Sequence, residues 1–322
     1  MTVTLSARGL ERFQTGHPWI YRSDIARAPE LAGLYPVRDA RGRTLGWAAV
    51  NPKSEITVRL LTRGERVANE ALLMDRLERA LEFRGRLRID GDSFRVVHSD
   101  ADGLPGLTVD KYGQYLVVQQ NSAALEPYLD AFVDALETEF APLGILARFD
   151  GKSRGLEGLE TGVYALRGSV PDWIEASEGR VRYWVDPWRG QKTGAFLDQR
   201  ENRAALTARG FGRALDVFSY HASFGLHLAT VCDSVDCIDA SESALERAEE
   251  NARLNGLDNL EFTVGNAFDL LRERERAGEK YHTISLDPPA FAKARRDLSA
   301  AYRAYKEVNL RALRLLEPGG IL

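Results

Sequence analysis

The chain has 322 residues, 44% of them apolar and 28% charged, with a net charge of −4 and room for two or three domains. No apolar run approaches the roughly 18–20 residues that span a bilayer, and the opening MTVTLSARGLERF lacks a signal peptide's apolar core, which argues against membrane and secretion and for a cytoplasmic location. Two cysteines, Cys232 and Cys237, are too few for a disulfide framework or a structural zinc site, and no metal is expected.

Residues 1–68 hold eleven Arg and Lys against six Asp and Glu, while the remainder is acidic. A basic block suits a polyanionic partner, although ordinary scatter explains this excess equally well. Its segments are short and β-rich. Trp19-Ile20-Tyr21, Thr44 to Val50 and Ile56 to Leu61 are separated by turn residues, which predicts a small barrel or sandwich. A helix follows over 69–84, with Leu73, Leu77 and Leu81 on one face. Residues 69–178 then read as this connecting helix and a small α+β domain. Its strands are at Val96-Val97, Tyr115 to Val118 and Ile145 to Ala147, with a helix over Ala124 to Phe140.

From about residue 179 strands and helices alternate, which predicts a doubly wound, Rossmann-like parallel sheet in an α/β domain over 179–322. The strands are Ala214 to Phe218, Val235 to Ile238, Leu260 to Val264 and Thr283 to Leu286. Helices are expected over Phe224 to Val231, Ser241 to Asn255, Ala267 to Ala277 and Leu298 to Leu316. Ser241 is a suitable N-cap and Gly256 a left-handed exit. Pro318-Gly319-Gly320 is expected to end the last helix, leaving Ile321-Leu322 as the start of a fifth strand. A helix without a following strand predicts a longer parent protein.

In such a sheet ligands bind beyond the carboxyl ends of the strands. Asp216, Asp239, Asn266 and Asp287 stand at those four ends in order. Asp239 is placed to accept from both hydroxyls of a ribose. The first turn, Asp216 to Gly225, contains no G-x-G-x-x-G, and no phosphate loop occurs, so a phosphate-free adenosine cofactor, S-adenosylmethionine, fits best. Asp287-Pro288-Pro289-Ala290-Phe291 is the sharpest local signal. Two prolines stiffen the loop, the carboxylate can bond a base edge and Phe291 can pack beside it, although a strand-ending turn has the same sequence.

With these motifs the chain resembles class I S-adenosylmethionine-dependent methyltransferases, and within them bacterial large-subunit rRNA cytosine-C5 methyltransferases of the ribosomal large subunit methyltransferase I type. The carrying segments are Gly190 to Arg200, Asp216 to Tyr220, Asp239-Ala240-Ser241, Ala248 to Ala252 and Asp287 to Phe291. Asp102 to Asp110 is similar to the family's central domain, and Gly16 to Ile20 to its RNA-binding PUA domain. The resemblance implies large-subunit rRNA as partner and Asp287 and Phe291 beside the flipped cytosine. It places Asp239 on the cofactor ribose, Asn266 and Ala267 on the adenine, and Asp216 and Ser219 on the methionine side. Asp198 and Arg200 would take the methionine carboxylate and amine, and Phe218 and Ala240 complete the set.

In this family a cysteine thiolate attacks C6 of the base. That cysteine is expected beyond Leu322, since Cys232 and Cys237 flank the second strand as structural thiols. The chain also departs from the family at His221-Ala222-Ser223, where Thr-Gly-Gly is usual. Two alternatives remain open at this level: an RNA-binding relic of the fold without transfer activity, and a base-nitrogen methyltransferase. The oligomeric state is open, with a homodimer one option.

Overall fold

Burial alternates along Val3–Leu5, inward at Val3 and Leu5, as expected of a sheet with one covered face. The computed structural model describes residues 1–292 and 294–322. Two compact units emerge, Met1–Ala176 with Val185–Ala195, and Ser177–Trp184 with Phe196–Leu322.

In the first unit, six strands form a sheet in the order Trp19–Ile20, Val58–Arg63, Thr44–Val50, Gly33–Arg38, Val3–Leu5, Ile25–Arg27. One pair, Val3–Leu5 with Gly33–Arg38, is parallel. The helix Ala7–Gln14 was not foreseen, because only Leu10 and Phe13 mark its apolar side; Ser6 caps it by accepting from the Gly9 N–H at 3.2 Å. The helix Glu70–Arg86 buries Leu73 and Leu77 as predicted. A second sheet runs Val163–Gly168, Gly144–Arg148, Tyr115–Gln120, Leu107–Tyr112, Ser93–His98. Leu107–Tyr112 escaped sequence reading because Asp110 and Lys111 interrupt its apolar pattern. The Asp110 carboxylate is nonetheless fully buried and held by the Arg95 Nε at 2.8 Å. The single helix expected over Ala124 to Phe140 is broken. Pro127 confines Glu126–Tyr128 to a 3-10 turn, and the α-helix begins at Leu129.

The second unit contains α1 (Arg200–Thr207), β1 (Arg213–Val217), α2 (Ser223–Ala229), β2 (Ser234–Asp239), α3 (Glu242–Asn255), β3 (Leu260–Val264), α4 (Ala267–Arg276), β4 (Tyr281–Leu286), α5 (Leu298–Leu315) and β5 (Leu316–Ile321). The sheet order is β3-β2-β1-β4-β5 and every neighbour pair is parallel. Both faces are covered, as the near-continuous apolar strands require. Ala214 and Cys237 pack with Leu226, Leu245 and Ala248 on one side. Leu215, Val217 and Ile284 pack with Leu271, Val308 and Ala312 on the other.

The end of this unit corrects the sequence reading. Pro318-Gly319-Gly320 does not end the helix; it lies inside β5, which begins at Leu316 directly after Leu315. Tyr281 pairs with Leu316 and Thr283 with Ile321, so the residues between form a bulge. A bulge accepts a proline without a ladder N–H and a glycine such as Gly319 at φ 83°. No helix among the described residues is long and apolar enough to cross a membrane.

Candidate cofactor site

Strand alternation decides which way each acid points. Asp216 shares its face of β1 with Ala214 and is therefore buried, at 2% exposure. Its Oδ2 accepts from the Gly225 N–H in α2 at 2.8 Å. Burial pushes its carboxyl up to about 7, against the lowering effect of that amide and of the Ser285 hydroxyl. Asp216 thus lies beneath the turn and supports it. Gly225 is required there, since a Cβ would stand 2.5 Å from the Cys237 Sγ.

The turn after β1 is left-handed at three residues other than glycine, Phe218 at φ 63°, Tyr220 at 52° and Ala222 at 56°. It is held by the neighbouring strand β2. The Ser219 N–H donates to the Ile238 carbonyl at 3.1 Å, and the Tyr220 N–H to the Asp239 Oδ2 at 2.9 Å. The second carboxylate oxygen of Asp239 accepts from the Ser241 N–H at 2.9 Å. Each oxygen retains a further lone pair for an incoming donor. The Ser219 Oγ is buried without a hydrogen-bond partner among the described residues, an orphan that a polar ligand group would satisfy.

At β3, Asn266 caps α4 by accepting from the Phe268 N–H at 2.9 Å, with Ala267 buried behind it. At β4, Asp287 is exposed and its Oδ2 accepts from the Gln199 Nε2 at 2.9 Å. Phe291 packs 4.6 Å from Tyr305, 5.8 Å from Phe268 and 6.3 Å from Phe218, centroid to centroid, forming an aromatic wall next to the ends of β1 and β3. Asp198 lies in the 3-10 turn Leu197–Gln199, and Arg200, which follows, pairs with Glu201. Ala240 is exposed between Asp239 and Ser241. The ends of strands β1 to β4 therefore present an orphan hydroxyl, two acids and a capping amide in one order, and this donor and acceptor set fits an adenosine ligand without phosphate.

Sequence reading missed three parts of this region. Gln199 orients Asp287. Tyr220 stacks on His221 at 3.7 Å and meets Phe196 edge-on at 5.5 Å. A buried cluster lies below. The Arg203 Nε donates to the Glu178 Oε1 at 2.7 Å, the Arg203 Nη1 to the Phe196 carbonyl at 3.1 Å, and the His227 Nε2 stands 3.4 Å from Glu178. Gln199 is adjacent to Asp198 and could have been noticed. The Glu178 cluster joins residues 25 apart in sequence, with no spacing that advertises it.

His221 lies in the same turn, stacked on Tyr220. Burial, with Arg247 nearby and Asp239 opposing, holds its imidazole down to about 4. The unfolded chain therefore takes up this proton first, near 6.5, so acidification from pH 6.5 towards 4 removes stability, by at most about 3 kcal/mol for this group. His221→Gln should lose less thermal stability than the wild type between pH 7 and pH 5. An equal loss in both proteins would refute this account. Neither thiol is activated: burial raises both Cys232 and Cys237, the second well above its ordinary value.

Residues 3–63 match the PUA-like domain family, and residues 163–322 match the S-adenosylmethionine-dependent methyltransferase family. The chain is 36% identical over 337 residues to proteins named Ribosomal RNA large subunit methyltransferase I from Yersinia pseudotuberculosis and Yersinia pestis, covering 100% of this chain and 85% of theirs. An S-adenosylmethionine-dependent methyltransferase structure from Streptococcus mutans superposes with a TM-score of 0.80 at 19% identity, over 98% of this chain and 83% of that one. A second methyltransferase structure, complexed with S-adenosylhomocysteine, gives a TM-score of 0.82 at 20% identity, over 100% and 84%. These two likenesses carry the fold, and the sequence relatives carry the family. The chain belongs to the ribosomal RNA large subunit methyltransferase I family of S-adenosylmethionine-dependent methyltransferases.

Proposed function

We propose that this protein methylates C5 of a cytosine in large-subunit rRNA. The observation that carries the reading is the ordered set of strand ends, from the orphan Ser219 Oγ through Asp239 and Asn266 to Asp287, in a chain whose relatives are named for rRNA methylation. S-adenosylmethionine supplies an electrophilic methyl group when bound. Asp239 accepts from its ribose hydroxyls, and Asn266 and Ala267 meet the adenine edge against the wall of Phe218 and Phe268. Ser219 and Ala240 border the ligand, Asp216 fixes the turn from below, and Asp198 and Arg200 serve the methionine end.

Asp287, oriented by Gln199, accepts from the exocyclic amine of the target cytosine, an acid-to-cytosine pairing whose donor is absent in uracil. Phe291 closes one side of that pocket and excludes water. C5 chemistry also needs a thiolate, and buried Cys232 and Cys237 are unsuited to that role. The test is nucleoside analysis of large-subunit rRNA from cells lacking this protein. Loss of 5-methylcytidine at one position is expected; an unchanged 5-methylcytidine content refutes the assignment. Loss of a base-nitrogen methyl mark instead would favour that chemistry.

A second reading is an RNA-binding relic of the fold without transfer activity. A ligand that binds only the native state raises its apparent stability. A thermal upshift with S-adenosylmethionine therefore argues against the relic, and its absence argues for it. The monomer or dimer state belongs to this proposal as well: a homodimer is tested by sedimentation of the purified chain.

A further inference from the structure

Helix α5 carries a face that its packing does not use. Ala301, Val308, Ala312 and Leu315 are its buried positions. Tyr302 stands 71% exposed and Tyr305 37%, and Arg303 and Lys306 are exposed beside them. Spacings of three and four residues gather these four side chains into one patch. The patch is tied to the Asp287–Phe291 loop. The Tyr305 hydroxyl donates to the Pro289 carbonyl at 3.4 Å and accepts from the Phe291 N–H at 3.3 Å. From Phe291 to Lys306 the sequence contains five basic residues, Lys293, Arg295, Arg296, Arg303 and Lys306, against one acid, Asp297.

An aromatic ring held in water beside cations that make no ion pair among the described residues is the composition of a platform for single-stranded nucleic acid, where rings stack on bases and cations follow the phosphates. We propose that Tyr302, Arg303 and Lys306 bind the RNA strand flanking the target base, Tyr302 by stacking on a neighbouring base and the two cations by pairing with its phosphates. This rests on the RNA-methyltransferase reading. A second copy of the chain is the competing occupant. A two-fold contact through this face would set each cation pair against its own copy, so the charge favours RNA.

The test is anisotropy of fluorescent single-stranded oligocytidine with the full chain. Tyr302→Ala should weaken binding about tenfold, and Tyr302→Trp should restore it. Arg303→Glu with Lys306→Glu should weaken it further and flatten the salt dependence by about one to two counterions. The thermal upshift with S-adenosylmethionine should be unchanged in every variant. Wild-type affinity in Tyr302→Ala and in the charge-reversed protein would overturn the surface while leaving the proposed function standing. A wild-type protein that binds neither the oligonucleotide nor the cofactor would instead sink the methyltransferase reading. Sedimentation showing a dimer that Tyr302→Ala dissociates would assign the face to a second copy.

Discussion

Replacing Glu178 by alanine is expected to destabilise the second unit by about 3–5 kcal/mol, the usual result of stripping one partner from a buried ion pair. Both side chains of the Glu178–Arg203 pair are only 4% exposed. The variant leaves a guanidinium in the interior with the Phe196 carbonyl as its remaining neutral acceptor. Methionine at both positions should recover much of the loss, because it removes both charges and keeps the volume. The effect is also functional. Arg203 anchors the Phe196 carbonyl, and Phe196 leads into the Leu197–Gln199 turn from which Gln199 reaches Asp287. Denaturant unfolding of Glu178→Ala, Arg203→Met and the double Met variant would check it. The account fails if the single variant unfolds at the wild-type midpoint.

Asp239→Ala should weaken S-adenosylmethionine binding about 100-fold, the result of removing two charge-assisted hydrogen bonds of about 1.5 kcal/mol each. Part of the loss is indirect. Without this carboxylate the Tyr220 and Ser241 amides lose their acceptor, and the left-handed turn is held only through the backbone. Asp239→Asn keeps one acceptor and should fall between the two. Calorimetric titration gives the affinities, and the melting temperature of the free protein separates turn damage from lost ligand contact. Affinity within about twofold of wild type in the alanine variant would remove Asp239 from the ligand site.

Much of the second unit was legible because its information is local. Apolar strands, a serine before a helix and a glycine after it occur at fixed offsets, and Ser241 and Gly256 do cap α3. The polar strand ends were legible for the same reason. What escaped was non-local. Nothing near Glu178 reveals Arg203, and nothing near Phe291 reveals Tyr305. The strand that carries Asp110 went unread, since the arginine that compensates its buried carboxylate lies 15 residues away. The error at Pro318 has the opposite origin: the residues signalled a turn correctly, but a bulge used that turn inside a strand.

The junction of α5 and β5 has a mechanical consequence. Leu315 closes the helix and Leu316 opens the strand, so no slack residue lies between them. Nearer its other end, the Tyr305 hydroxyl clasps the Pro289 carbonyl. A rod pinned at both points can neither slide along its axis nor rotate without breaking sheet pairing or letting go of the loop. The tyrosine face is therefore coupled to the loop that follows Asp287, and an RNA strand held as proposed on the first would be measured out against the second as if along a ruler.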